Sequence, residues 1–559
     1  MKAKEIKKDI KQELKNNAKR GKVYLAGAGP GDPELLTLKT RRILGEADVI
    51  VYDSLISEEI LSYAKEGCEI IYAGKRSSNH VLSQYSINEL LAEKAKNNNI
   101  VLRLKGGDPY LFGRGGEEAE RLFKDNIPFE IIPGISSSFA VPAYAGIPLT
   151  HRDYASTVAI VTGHEGDHKE KSTIDWKGLA GADTIVILMG YKNLDSNTKN
   201  LIKAGKDKNT PCAVIQEGTT LNQKAAAATL GTIAGETEKR GFKSPLILIV
   251  GNVVKLRNAL NWFENRPLSG LKVIVTRGEG QTTDTLSEKL KKLGAFVISL
   301  PLIKILKDGD GINMAKIDSA VENIGKYDYL IFTSANAVSA FFEHYFSKGI
   351  DVRALSGKKI ISLGKVSSSE LKKYGIVPDI VPTEPSQTGI IDILKDTDLN
   401  GKKILFPQAL KINRELPEFL ESKGSDLENL PVYETVLPED SKESLGKIFA
   451  FNENKKIGKN IGLPDNLDLK SLIVTFTSYS TVENFTKELE NIEKGLLKKV
   501  IRSGVRFASI GKKTAEYALG FGIKSDIISK DVNIDSLVDG IVEFYNTLKP
   551  KIADRKIKK

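Results

Sequence analysis

Cysteine is nearly missing from the chain: Cys68 and Cys212 are the only two in 559 residues, beside 5 His, 3 Met and 2 Trp. Two thiols exclude a disulfide framework and a thiolate metal cluster. No apolar run approaches the roughly 20 residues that span a bilayer, and the longest, around residues 246–250, reads as a buried strand. The first 22 residues hold no apolar stretch of signal-peptide type. These absences set the expectation of a cytoplasmic protein that engages no membrane. What is present, 41% hydrophobic and 27% charged residues, excludes a disordered chain. At roughly 100–200 residues per domain, the length predicts three to five domains.

A one-signed body is missing too. The net charge of +11 divides between residues 1–22, at +6, and residues 549–559, at +5. Residues 23–548 carry 67 basic and 67 acidic side chains. The basic tails read as solvated segments, with attraction of RNA or an acidic partner as the alternative. The balanced body predicts no nucleic-acid partner. An anionic ligand would be met by locally placed arginines.

Two halves separate near residues 261–270, NWFENRPLSG. Both alternate short β-rich runs with amphipathic stretches, which predicts parallel α/β layers. Strands are expected at residues 23–26, 49–52, 101–104, 158–162, 184–189, 212–216 and 246–250. In the second half they are expected at 273–276, 329–333, 360–363, 404–406, 473–477 and 507–510. That half repeats itself: FTSAN at 332–336 returns as FTSYS at 476–480, and SLGKVSS at 362–368 returns as SIGKKTA at 509–515. Two similar α/β lobes are the simplest reading. Residues 442–470, rich in Asn, Lys and Gly, read as an inserted mobile loop.

The first strand runs into Gly27-Ala28-Gly29-Pro30-Gly31-Asp32-Pro33, glycines that let backbone approach a ligand. The spacing is not that of a nicotinamide dinucleotide loop, and Pro30 stiffens the turn. A second cluster, RLKGGDPYLFGRGGEE at 103–118, sets five glycines among fixed charges at a strand end, where α/β proteins place their sites. Loops IPGISSS at 132–138 and AGIPLTHRDYAS at 145–156 join it.

Those stretches, with GAGPGDPELLTLKT, VYDSLI, GKR, VTGH, LMG and SPLILIVGNVV in order, resemble uroporphyrinogen-III C-methyltransferase over residues 22–263. The resemblance implies the two-lobed tetrapyrrole-methylase fold, lobes about 22–139 and 140–263, with S-adenosyl-L-methionine as methyl donor. It implies methylation of uroporphyrinogen III at C2 and C7 to precorrin-2, and a homodimer through this half. By the same resemblance, Pro30, Gly106, Gly107, Asp108, Leu111, Ser136, Ser137, Met189 and Gly218 line the cofactor site. Asp53 and Lys75 match the proposed proton acceptor and donor, and Arg114, Glu117 and Arg152 the substrate-side polar groups. Arginine suits carboxylates by its fork geometry. The alternative for Asp53 is a helix cap, and for Arg114 with Glu117 an exposed ion pair. Ser54 stands where the family usually has Arg, so one carboxylate contact is lost or supplied by Arg76. His164 and His168, four apart, lack a third ligand, and no metal is expected.

Residues 270–548 show no phosphate loop, metal ligand set or nucleophile–base pair. VIVTRGEGQ, KKLGAFVISLPLIKI, YLIFTSANAV, ISLGKVSSSELKKYGIVPDIVP, the stretch 403–436 and FASIGKKTAEYALGFGI resemble uroporphyrinogen-III synthase. That family's fold is two-lobed and flavodoxin-like, here lobe one about 270–300 plus 434–548 and lobe two about 301–433, needing no cofactor. A linker, 264–269, joins the halves, and basic tails occupy 1–21 and 549–559. The resemblance implies closure of hydroxymethylbilane with inversion of ring D. Tyr433 matches the candidate general acid, a phenol protonated below its ordinary pKa near 10. Arg277, Ser334, Ser367, Ser478 and Thr514 match carboxylate contacts at strand ends. Plain helix capping is the alternative for the hydroxyls. Three other readings stay open: a later precorrin methyltransferase, a ribosomal-RNA methyltransferase, and a second half that only senses a ligand.

Overall fold

β-Branched strands running into glycine turns build four five-stranded sheets, and each strand's burial sets its place. The computed structural model describes residues 21–74, 83–97, 99–165, 173–277, 285–309, 311–411, 414–449 and 469–548. The chain divides into two compact units, residues 1–270 with 293–296, and residues 271–292 with 297–559.

In the first unit, β1 (Lys22–Gly27), β2 (Val49–Tyr52), β3 (Glu69–Tyr72), β4 (Ile100–Lys105) and β5 (Phe129–Ile132) form a sheet in the order β3-β2-β4-β1-β5. All its pairs are parallel. A second sheet orders β6 (Val158–Thr162), β7 (Thr184–Leu188), β8 (Pro211–Gln216), β9 (Lys224–Thr229) and β10 (Leu246–Val250) as β6-β7-β10-β8-β9. β7 and β10, TIVIL and LILIV, are buried throughout, as strands covered on both faces must be. Only β6–β7 is parallel here; β10 opposes β7 and β8, and β8 opposes β9. The expectation of parallel layers therefore fails in this sheet, because the short turn from β8 to β9 reverses the chain.

The second unit contains β11 (Lys272–Val275), all but the first residue of β12 (Phe296–Ser299), β13 (Lys304–Leu306), β14 (Tyr329–Phe332), β15 (Lys359–Ser362), β16 (Lys403–Ala409), β17 (Asp426–Val436), β18 (Leu472–Phe476), β19 (Arg506–Ser509) and β20 (Ile527–Ile528). They pair as β12-β11-β18-β19-β20 and β13-β17-β16-β14-β15. The sequence echo is structural. Ser334 caps helix Ala335–Ser347 after β14, and Ser478 caps helix Tyr479–Ile492 after β18. Gly364 and Gly511 open helices Lys365–Lys373 and Lys512–Gly520 after β15 and β19. Each sheet rests on aromatics, Phe332, Phe341, Phe342 and Tyr345 in one, Phe449, Phe476 and Phe485 in the other.

Residues 264–269, the expected linker, are packed: Gln223 donates to Glu264 at 3.0 Å and Leu268 is fully buried. One stretch differs from expectation. Of residues 442–470, 442–449 belong to helix Ser441–Phe449, whose Leu445, Ile448 and Phe449 are buried; 450–468 lie outside the described residues, as do 1–20 and 549–559.

Candidate functional site

The strand ends of the first sheet are walled by main chain. A methyl group at Gly27 would stand 2.3 Å from the Gly107 carbonyl oxygen and 2.6 Å from Gly134 Cα. One at Gly134 would meet the same carbonyl at 2.2 Å. The turns after β1, β4 and β5 thus touch backbone to backbone, which a side chain would prevent. Gly29 and Gly107 exchange amide hydrogen bonds at 2.7 and 3.2 Å. Asp108 accepts the Gly134 amide through Oδ2 at 2.9 Å and the Tyr110 amide through Oδ1 at 2.8 Å. Asp53, just past β2, accepts the Gly106 amide at 3.3 Å and the Leu55 amide at 3.0 Å. Gly107 has φ +70°, and a methyl there would lie 3.7 Å from the Ser137 amide nitrogen. The positive φ favours glycine there, and the turn lies beside helix Ser137–Tyr144, which Ser136 caps through the Ser138 amide.

The loop after β8 meets the first turn. The Asp32 amide donates to Thr219 Oγ1 at 3.2 Å, and the Tyr144 hydroxyl donates to Asp32 Oδ2 at 2.8 Å. Gly218 faces Val141, whose Cγ1 would be 2.3 Å from an added methyl. Among the described residues six non-glycines have positive φ. Five of them, Phe112, Arg114, Met189, Glu217 and Thr219, stand on turns beyond strand ends of this unit. Such backbone costs on the order of 1–3 kcal/mol per residue and gathers where a ligand site requires it.

Arg114 precedes helix Gly115–Lys124 and forks onto Glu117, Nε to Oε1 at 2.8 Å and Nη2 to Oε2 at 2.7 Å. The contact holds the Glu117 carboxyl below its usual pKa and raises that of Arg114. Both side chains are just over half exposed, 56% and 54%. An exposed pair contributes about 0.2–1 kcal/mol, so a ligand carboxylate can displace Glu117 at little cost. One residue on, Glu118 is fully buried. Its Oε1 accepts from Lys105 Nζ at 2.8 Å, Gln84 Nε2 at 3.1 Å and Arg103 Nε at 3.2 Å. Burial and the neighbouring Arg103 charge push the Lys105 ammonium below the usual lysine pKa, against the pull of Glu118.

In the second unit, Tyr433 on β17 is 7% exposed and its Oη lies 3.2 Å from Ser334 Oγ. Burial raises the phenol pKa, while hydrogen bonds with Ser334 and Asn336 pull it back. Ser334 Oγ also accepts the Ala337 amide at 3.0 Å. Ser367 is buried, its Oγ engaged by Ser362 Oγ at 2.8 Å and the Gly364 amide at 3.3 Å. Ser478 Oγ accepts the Thr481 amide at 3.3 Å, and Thr514 is buried in the first turn of its helix. Arg277 follows β11.

Hydrogen bonds and close approaches gather the turn of Pro30, the turn running from Gly106 through Leu111, Asp53, and the loop of Gly218. The cap of Ser136 and Ser137 borders the Gly107 turn. Met189, 53% exposed, and Arg152, in an exposed turn closed by the His151–Ala155 bridge, stand on separate loops of the unit. Tyr433 and Ser334 meet, whereas Ser367, Ser478 and Thr514 each serve their own turn. Lys75, Arg76 and His168 lie outside the described residues. Sequence reasoning missed the Arg103–Lys105–Glu118 cluster and Asn336. The available signal was two cations inside a central apolar strand, where burial without a partner is prohibitive.

The two sites define a two-module α/β enzyme acting on small molecules. Residues 22–234 match the tetrapyrrole (corrin/porphyrin) methylases, and residues 284–539 match uroporphyrinogen-III synthase HemD. The chain is 36% identical over 525 residues to porphyrin biosynthesis protein HemD of Ruminiclostridium josui, covering 94% of this chain and 98% of that one. It is 41% identical over 361 residues to uroporphyrinogen-III C-methyltransferase of Bacillus subtilis (strain 168), covering 64% of this chain and 73% of the relative. The S-adenosyl-L-methionine-dependent uroporphyrinogen III methyltransferase of Methanosarcina barkeri is 54% identical over 241 residues, 43% of this chain and 94% of its own. The chain belongs to the tetrapyrrole methylases through its first unit and to the uroporphyrinogen-III synthases through its second, a fusion of two tetrapyrrole-biosynthesis families.

Proposed function

We propose that the second unit closes hydroxymethylbilane to uroporphyrinogen III and that the first methylates it at C2 and C7, giving precorrin-2. The observation that carries this reading is the backbone wall of Gly27, Gly107 and Gly134 at the strand ends, set on the same turn as the Arg114 fork. That wall fits S-adenosyl-L-methionine: a side chain at Gly27 or Gly134 would run into main chain and part the turns, and the donors and acceptors along them are main-chain groups. When bound, that donor supplies an electrophilic methyl group. The turns of Pro30, Gly107 and Ser137, with Met189 and Gly218, hold it. Arg114 exchanges Glu117 for a substrate carboxylate, and Arg152 takes another. Asp53 accepts the proton released when the new carbon–carbon bond forms. In the second unit Tyr433 donates its proton to the departing hydroxyl of the bilane, which leaves as water, while Ser334 and Asn336 orient the phenol.

Two folding units, about 22–263 and 270–548, carry these steps. Exposed Phe139, Leu260 and Trp262 on the first support a homodimer there. The even charge of residues 23–548 supports small-molecule rather than nucleic-acid partners. Among the described residues no helix is long and apolar enough to cross a membrane, which fits a cytoplasmic setting. The test gives the full chain hydroxymethylbilane with and without S-adenosyl-L-methionine and reads product mass and isomer. Uroporphyrinogen III alone, and a doubly methylated product with the donor, are expected. Only the type-I isomer and no methylation would overturn the reading.

A further inference from the structure

β4 is the middle strand of its sheet and is buried from Val101 to Lys105, yet two of those residues are charged. Arg103 is 3% exposed, Lys105 4% and their partner Glu118 0%. Both cations converge on one atom, Glu118 Oε1. Arg103 also donates to the Val51 carbonyl at 3.3 Å, tying the cluster to β2, which leads to Asp53. Such a cluster is a weak source of stability, because desolvation offsets most of the attraction and apolar residues of the same volume do as well. It does fix a separation. An ion pair at 2.8 Å holds one register where an apolar contact slides.

The register it holds joins the two sides of the site. Lys105 ends β4, and the next residues, Gly106 and Gly107, form the turn assigned to the methyl donor. Glu118 lies in the first turn of helix Gly115–Lys124, one residue after Glu117 and four after Arg114, the groups assigned to the acceptor. We infer that the Lys105–Glu118 contact is a positioning device that sets the distance between methyl donor and methyl acceptor. This inference rests on the methyltransferase reading of the first unit. Methyl transfer needs the reacting atoms in line at about 3–3.5 Å, and a misplacement near 1 Å costs about 10²-fold. Glu118 acts through Arg114, and Lys105 through the glycine turn.

The test uses the full chain. Glu118→Asp keeps the charge and shortens the reach by one methylene. It is expected to lower kcat for methylation at least about tenfold. S-adenosylhomocysteine affinity by calorimetry should stay within about threefold, and ring closure should be unaffected. Glu118→Gln keeps the reach but removes the shared counter-charge of two buried cations, so it marks the cost of lost charge, and its unfolding temperature should fall below that of Glu118→Asp. Lys105→Arg changes reach from the other side and should lose kcat as Glu118→Asp does. Methylation at the wild-type rate by either length variant overturns the inference, including where the other does not fold. So does a loss in Glu118→Asp or Lys105→Arg that tracks a lower unfolding temperature, or one that falls on S-adenosylhomocysteine affinity rather than on kcat. A wild-type chain that neither binds S-adenosylhomocysteine nor methylates overturns the methyltransferase reading instead, and shows it before any variant is made.

Discussion

Asp108 and Gly134 are joined by a carboxylate-to-amide hydrogen bond of 2.9 Å that ties the turn after β4 to the turn after β5. The other carboxylate oxygen takes the Tyr110 amide, so Asp108 braces the glycine wall from both sides. Asp108→Ala leaves two amides without their acceptor, a loss of about 1–3 kcal/mol for each that stays buried. S-adenosylhomocysteine affinity is expected to fall at least about tenfold by calorimetry, with Asp108→Asn recovering part of it through its remaining carbonyl. Unchanged affinity in the Ala variant would remove Asp108 from the cofactor site.

Gly134 and Gly116 make a matched pair of glycine tests. At Gly134 an added methyl collides with main chain at 2.2 Å, and backbone cannot rotate away as a side chain can. Gly134→Ala should lower the unfolding temperature of the first unit and abolish cofactor uptake. Gly116 lies in the first turn of helix Gly115–Lys124 with nothing within 4 Å of its added methyl. Gly116→Ala should stabilise by about 0.5–1 kcal/mol through reduced freedom of the unfolded chain. Calorimetric unfolding separates the two.

Strands buried on both faces were legible because they write a continuous apolar run, as in Leu246–Val250. Strands without such a run were not, whether at an edge or, like β17, inside a sheet, while the apolar edges β6 and β15 were expected. β3, EIIY, is half exposed, and β9, KAAAAT, reads as helix by alanine propensity until pairing with β8 overrides it. Glycine turns announced the first site because backbone-to-backbone contact admits no other residue at Gly27 or Gly134. Gly218 shows the limit of that reasoning, since its methyl is excluded by Val141, a packing demand that spacing does not reveal. Arg103 and Lys105 within an apolar strand signalled a buried partner, but which carboxylate it is was hidden for a related reason. Adjacent Glu117 and Glu118 look alike in sequence, and only helix phase turns one outward and the other inward.

Arg114→Ala separates the two activities. The fork onto Glu117 is exposed and weak, so its loss should change folding stability by no more than about 1 kcal/mol. A substrate carboxylate that loses a bidentate guanidinium loses a charge-assisted contact of roughly twice ordinary strength. Methylation of uroporphyrinogen III is expected to fall at least about 100-fold while ring closure continues at the wild-type rate. Both rates are read from one chain given hydroxymethylbilane and S-adenosyl-L-methionine. Loss of both activities would show that Arg114 serves the fold rather than the substrate.

Tyr433 sets a pH dependence whose sign follows from its burial. Desolvation disfavours the phenolate, so the folded pKa lies above the ordinary value of 10.0. A proton donor works while protonated, so its contribution is complete below the folded pKa and disappears as pH rises through it. Ring closure by the wild-type chain should therefore show no decline from this group up to about pH 10. Tyr433→Phe removes the donor but keeps the ring in its place on β17. It should slow ring closure by about 10²–10⁴-fold at neutral pH and leave methylation of supplied uroporphyrinogen III intact. Ser334→Ala removes the hydroxyl 3.2 Å from the phenol and should have a smaller effect, because Asn336 still engages the phenol. The yield of type-III over type-I isomer checks all three proteins. A wild-type yield from Tyr433→Phe would leave the buried phenol as packing alone and move the acid to a group at another strand end.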